Sequence, residues 1–319
     1  MTAWTQASAN LSIDTTAGQT QPVKKAEILP IKTSAALDTS PITDIKALTL
    51  LAEQNNSNAQ RQLGLMFLSG DVVPQNLTQA FYWLQKAANQ GNASAQFHLA
   101  NMFDSGQGAD QSYDKAFEWY RRAALQGHAE AQYNLGVMFG KGQSTPASQS
   151  EAAKWYLAAA EQGLAEAQYN LGVLYFEGQG VPQSYERAFH YFSVAAEQNY
   201  AKAQYNLGVL YENGQGVPLS ALKAAQLYLK AAEQGDAFAQ YNLGVLYAKG
   251  SGVVPSDQEA VKWFMKSAEQ NHVDAQYNLA IMYLKGRGVS QSDSKAKKWL
   301  FKAAEQGDSA AKEMLSDLD

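Results

Sequence analysis

Between Glu166 and Phe176 the apolar positions follow a helical period. At ~100° per residue, Ala167, Leu171 and Leu174 share one stripe, with Gly172 and Tyr175 beside it. The run stops at Gly178, where glycine tolerates the left-handed backbone that closes a helix. A second amphipathic run extends from about Tyr185 to Gln198, its apolar stripe holding Ala188, Tyr191, Phe192 and Ala195. The loop between them carries Gly180 and Pro182. The glycine keeps helix from resuming, and proline's missing N–H costs little there. The pattern predicts two helices joined by a short loop.

The same pattern returns every 36 residues, and internal periodicity of this length decides the fold before any other feature does. Tyr-Asn-Leu-Gly-Val begins at Tyr133, Tyr169, Tyr205 and Tyr241, and weaker copies begin at Arg61, Phe97 and Tyr277. Alanine fills 59, 95, 131, 167, 203, 239 and 275, each followed by glutamine. Leucine fills 63, 99, 135, 171, 207, 243 and 279, and a second alanine column runs from 80 to 296. An invariant alanine on the second helix implies close approach of two helix axes. First helices stop at glycines 70, 106, 142, 178, 214, 250 and 286. Second helices end at Gly91, Gly127, Gly163, Asn199, Gly235, Asn271 and Gly307, the two residue types that best adopt the left-handed cap.

A single hairpin of this kind cannot bury its own apolar face, so neighbours must stack into an α/α solenoid. The expected organisation is all-α. Residues 1–42 form a flexible tail, 44–58 a half-repeat cap, about 59–308 seven repeats, and 309–319 a capping helix. In that last helix Lys312 and Glu313 replace the usual glutamine and tyrosine, as suits a face that meets water. The tail is rich in Ser, Thr and Ala and lacks sustained periodicity. Its first thirteen residues show no charged region or apolar core of a signal peptide.

Composition then narrows the function. The chain has no cysteine, which excludes a disulfide framework, a cysteine-ligated metal and a thiol nucleophile. A formal charge of −5 opposes a nucleic-acid surface, and no apolar run is long enough for a transmembrane helix. Low charge and the Ser/Thr-rich tail lean toward a periplasmic or secreted protein. No histidine pattern has metal-ligand spacing. His128 and His272 fall in the turn between repeats, where exposure to solvent is expected. Gly178-Gln-Gly180 lacks the third glycine and the strand of a dinucleotide fingerprint, and no nucleophile elbow occurs. No cofactor and no catalytic residue are expected.

At Ala-Gln-Tyr-Asn-Leu-Gly-Val-Leu-Tyr (167–175), Gly-Gln-Gly-Val-Pro (178–182) and Lys-Ala-Ala-Glu-Gln-Gly (230–235), the chain resembles the Sel-one-like repeat (SLR) family, relatives of tetratricopeptide repeats. The resemblance implies a right-handed superhelix and an adaptor's function: assembling complexes in degradation or signalling, or working in the bacterial envelope or at the host interface. One branch of that family is cysteine-rich with a disulfide in each repeat, a pattern from which this chain departs.

Tyr169 and Val173 lie roughly 160–200° from the Ala167/Leu171 stripe at the same angular step. The pair recurs as Tyr133/Val137, Tyr205/Val209, Tyr241/Val245 and Tyr277/Ile281, and Phe97 continues the column. In tetratricopeptide-like solenoids such positions line the concave groove that holds extended peptides. The resemblance therefore implies a tyrosine ladder for a protein or peptide partner, flanked by Asn170, Asn206 and Asn242, with Asn134 and Asn278 in the same column. Packing between neighbouring first helices would produce the same pattern, and the asparagines could bond a neighbouring loop instead. Five tryptophans, 83, 119, 155, 263 and 299, share one column of the second helix, where Tyr191 and Leu227 are the exceptions. Their place on the core stripe favours packing over a sugar platform. The leading expectation is a monomeric, non-enzymatic binding scaffold. A cell-wall-associated enzyme or penicillin-binding-like protein, as ascribed to the cysteine-rich relatives, is one alternative. A module that self-associates weakly through its exposed apolar ladder is the other.

Overall fold

A computed structural model describes residues 45–318, so the expected tail at 1–42 lies outside the described residues. Among these the chain forms sixteen helices and no strand. After α1 (Ile45–Glu53), first and second helices alternate: α2 (Ser57–Ser69) and α3 (Leu77–Asn89), α4 (Ala93–Ser105) and α5 (Tyr113–Leu125), α6 (Ala129–Lys141) and α7 (Gln149–Glu161), then α8 (Ala165–Glu177). They continue with α9 (Tyr185–Glu197), α10 (Ala201–Asn213) and α11 (Ala221–Glu233), α12 (Ala237–Lys249) and α13 (Asp257–Glu269), α14 (Val273–Lys285) and α15 (Asp293–Glu305), and end on the capping helix α16 (Ser309–Leu318). The periodicity places α8 and α9 within one residue of their observed ends.

The described residues fall into two compact units, one ending at Gln183 and the other beginning at Ser184. Within each, helices pack most extensively on their neighbours in sequence. Both are stacks of helical hairpins around buried apolar clusters. The second alanine column is fully buried in each, at Ala80, Ala116 and Ala152 and at Ala188, Ala224, Ala260 and Ala296.

Local chemistry sets the helix ends. Second helices from α5 onward start on a serine whose hydroxyl accepts a backbone N–H three residues on, as Ser148 does from Glu151 and Ser256 from Glu259, and α3 starts on Asn76, which accepts from Gln79 in the same way. Such caps satisfy one of the orphan donors of the first turn. First helices close on glycines with φ of 63–77°. The second loop glycine does more than interrupt helix. A Cβ on Gly180, at φ +69°, would sit 2.3 Å from the backbone of Gln149, so this glycine lets the loop rest on the start of α7.

The invariant glutamine joins three helices. Gln132 on α6 donates its side-chain amide to the carbonyl of Ala124, at the end of α5, at 3.1 Å. Its own oxygen accepts from Gln162, beyond α7, at 2.7 Å. The arrangement repeats at Gln96 with Ala88 and Gln126 (3.1 and 2.7 Å). In the second unit it recurs at Gln240 with Ala232 and Gln270 (3.0 and 2.8 Å) and at Gln276 with Ala268 and Gln306 (3.1 and 2.9 Å). A buried amide left without such partners costs ~1–3 kcal/mol, so the clasp imposes register on the stack.

Candidate functional site

The ladder columns stand on the first helices, and the structure places them deeper than a binding surface alone would require. In the first unit, Phe97, Tyr133 and Tyr169 are buried, Val137 is 0% exposed and Val173 is half-buried. In the second unit, Tyr241 and Val209 are buried and Val245 is 0% exposed, while Tyr205, Asn206 and Tyr277 remain half-buried. The valines therefore lie in the seams between repeats, and surface contact is left to the tyrosine edges and to Asn206.

Phe97, Tyr133, Tyr205 and Tyr241 each lean on an aromatic residue of their own second helix, whereas the same column behind Tyr277 holds Leu300. Tyr133 lies 5.6 Å from the Tyr156 ring, Tyr205 5.8 Å from Tyr228, and Tyr241 5.9 Å from Phe264. The turn leading into the next first helix then covers the ring. His128 stacks on Phe97 at 4.7 Å and 22°, and His272 on Tyr241 at 4.7 Å and 18°. The expectation of solvent-exposed histidines is corrected here, because the turn column folds over the preceding first helix's ring. His272 is buried and also caps α14, its Nδ1 accepting from the N–H of Ala275 at 3.4 Å. Burial pulls its pKa down to about 4. Burial likewise depresses His128, against the opposing pull of Glu130, and holds His98 at about 3.

Asn134, Asn170 and Asn242 bond phenols of the adjoining repeat rather than loops. Asn170 donates to the hydroxyl of Tyr133 at 3.1 Å. Tyr120 donates to Asn101, and Asn134 also reaches that oxygen at 3.4 Å. Asn242 hydrogen-bonds the hydroxyls of both Tyr205 and Tyr228. A carboxylate completes the second-unit cluster: Tyr228 donates to Glu212 at 2.6 Å. Burial raises the Glu212 pKa, while its hydrogen bond from Tyr228 and the Lys249 charge lower it. Desolvation also pushes Tyr156, Tyr205 and Tyr228 upward, so these phenols stay neutral. Such neutral, mutually satisfied groups fix ring positions. They form no activated nucleophile with a base and an orienting partner of the kind covalent catalysis needs.

Among the described residues no cluster of histidine and carboxylate is placed to hold a metal ion. No described helix is long and apolar enough to cross a membrane. The tryptophan column packs as its stripe implies: Trp83, Trp263 and Trp299 are buried, and Trp119 and Trp155 are half-buried. A cation commonly covers the indole, as Arg122 does over Trp119 at 4.4 Å and Lys266 over Trp263 at 4.5 Å. The glutamine column shows no role in its spacing alone. Its constancy was the available signal, but the partners, eight residues back and 30 ahead, meet it only in three dimensions.

The Sel1 repeat family model matches seven consecutive segments, 57–92, 93–128, 129–164, 165–200, 201–236, 237–272 and 273–308. No curated protein matches the chain. Among solved structures it is similar to c5321, described as a protective antigen present in uropathogenic Escherichia coli strains displaying an SLR fold, with 36% identity and a TM-score of 0.82. That alignment covers 86% of this chain and 59% of c5321, so this chain spans well under two thirds of that protein. It is also similar to a Sel1 repeat protein from Oxalobacter formigenes, with 34% identity and a TM-score of 0.70, over 89% of this chain and 83% of that one.

Proposed function

The chain belongs to the Sel1 repeat family, and on that premise we propose that it is a non-enzymatic scaffold that holds a protein or an extended peptide along its first-helix face. Sel1 repeats typically serve as protein-interaction scaffolds, and their solenoid is typically non-catalytic. The observation that carries the finer reading is the set of half-buried residues Tyr205, Asn206 and Tyr277 in the second unit. Of these, Tyr205 is backed by the Tyr228 ring of its own second helix. Tyrosine offers a large, rigid contact area with a polar edge, and a primary amide beside it can donate to and accept from a peptide backbone. The rigid backing limits the entropy lost on binding. The likeness to a protective antigen of uropathogenic bacteria supports placing this activity in the bacterial envelope or at the host interface.

The test is a peptide array and pull-down comparing the wild type with a Tyr205→Ala/Asn206→Ala double variant whose fold is verified by circular dichroism. Binding is expected to weaken at least tenfold, on the order of 1.4 kcal/mol. A folded double variant that binds every captured ligand as the wild type does would falsify this placement of the site.

A further inference from the structure

The tryptophan column breaks at Leu227, and the structure opens a groove there. Elsewhere in the second unit, the indole of a second helix fills the space between the preceding second helix and the intervening first helix. Trp263 of α13 packs in one cluster with Ala225, Tyr228 and Leu229 of α11 and Leu246 of α12. Trp299 of α15 does the same against α13 and α14. The corresponding space for Leu227 lies between α9 and α11, over α10. It is a groove of about 920 Å³, walled by Phe189, Ser193, Leu229 and Leu227 and floored by Leu207 and Tyr211. Two sequence departures coincide in it. Leu227 stands where five repeats have tryptophan, and Ser193 stands where the following repeats have Leu229 and Met265. Each removes side-chain volume from the same space.

The charges around the groove say what suits it. Two lysines line it: Lys223, early in α11, lies 4.9 Å over Tyr211, and Lys230 stands in the column of Lys266 and Lys302, which lie 4.5 and 4.6 Å over Trp263 and Trp299. Lys230 keeps the cation of that pair, but the residue three positions before it is a leucine. An aromatic ring entering the groove would meet the cation–π partner that the column supplies elsewhere. Glu197 and Glu233, the last residues of α9 and α11, lie at one end of the groove. There the negative ends of two helix dipoles add to their charge. That end favours a basic group. The tryptophans that fill equivalent seats carry such a group one turn later, at Lys266 and Lys302.

We propose that this groove is a docking seat for a partner peptide bearing a tryptophan followed one helical turn later by lysine or arginine. The seat is distinct from the first-helix ladder, so it goes beyond the scaffold reading above. The guest indole takes the place of the missing column residue, Lys230 covers its face, and the guest's basic group reaches Glu197 and Glu233.

The probe is a fluorescein-labelled peptide with the chain's own sequence 256–270, which carries Trp263 and Lys266. Its anisotropy is titrated with the whole protein. Micromolar binding is expected, falling at least tenfold in Leu227→Trp, which fills the seat with the side chain the column tolerates in five repeats. Lys230→Met should weaken it by roughly fivefold, and a peptide with alanine in place of its tryptophan should not bind. The Tyr205→Ala/Asn206→Ala variant should bind the probe normally, which separates failure here from failure of the ladder. Several results would overturn the proposal. They are unchanged binding by Leu227→Trp, equal binding of the tryptophan-free peptide, or no binding by the wild type at millimolar peptide. Sedimentation showing a dimer that Leu227→Trp abolishes would assign the seat to a second copy. Binding that appears only after Trp4→Ala would assign it to the chain's own N-terminal segment. Either result overturns an external partner.

Discussion

His272 shows how a residue that looks like surface in the sequence becomes structural. Its column in the turn holds asparagine, aspartate, leucine and tyrosine in other repeats, a variety that reads as solvent exposure. The missing information was that the turn closes over a ring 31 residues earlier, Tyr241. The consequence is a pH dependence whose sign is fixed. The folded pKa of about 4 lies below the ordinary 6.5, so between these values the unfolded chain binds more protons. Stability is therefore complete above pH 6.5 and declines as the pH falls toward 4, by an amount on the order of 3 kcal/mol. His272→Asn keeps a capping side chain, as Asn56 and Asn92 do, and removes the titration. Its thermal midpoint should fall less than that of the wild type between pH 7 and pH 4.5, measured by calorimetry. Parallel midpoint curves for the two proteins would show that the buried imidazole is not the responsive group. The ladder tyrosines carry a related lesson. Their angular position off the core stripe was legible, but their burial was not, because it depends on an asparagine from the adjoining repeat and a histidine from the turn before it.

At the scale of the helix, the sequence was most informative where one period repeats and every end has its own chemistry. Glycine and asparagine columns mark second-helix ends, and the positive φ of Asn199 and Asn271 matches that of Gly235 and Gly307. The mid-helix glycine had a less readable purpose. Glycine in a helix is disfavoured by ~1 kcal/mol against alanine, yet it recurs at 136, 172, 208 and 244. The structure supplies the reason: a Cβ on Gly208 would lie 2.7 Å from the Tyr228 ring, and one on Gly244 2.7 Å from Phe264. At Gly136, Gly208 and Gly244 close contact between the first helix and its second-helix aromatic therefore outweighs propensity. Gly208→Ala should destabilise the protein by ~1–3 kcal/mol through overpacking, measured by urea denaturation. A more stable variant would mean that Tyr228 yields without cost.

For the molecule as a whole, the number and length of repeats were legible because identity within one chain is itself a structural measurement. What the period could not convey is where neighbouring repeats differ in depth. The groove at Leu227 arises from two departures, Leu227 and Ser193, whose effect depends on three helices at once. The glutamine clasp, by contrast, is the same at every seam in each unit, and this has a consequence for heredity. Its donors and acceptors recur at one fixed offset, so excising one whole period restores the clasp at the new junction. With residues 129–164 deleted, Gln168 would meet the carbonyl of Ala124 in place of that of Ala160, its present partner at 3.2 Å. The shortened protein should fold cooperatively with unchanged helical content per residue. A deletion of half that length should leave polar groups stranded and should not fold. Circular dichroism and proteolysis distinguish the two. Unequal recombination in the gene can therefore lengthen or shorten this protein in steps of one repeat without passing through an unfolded ancestor.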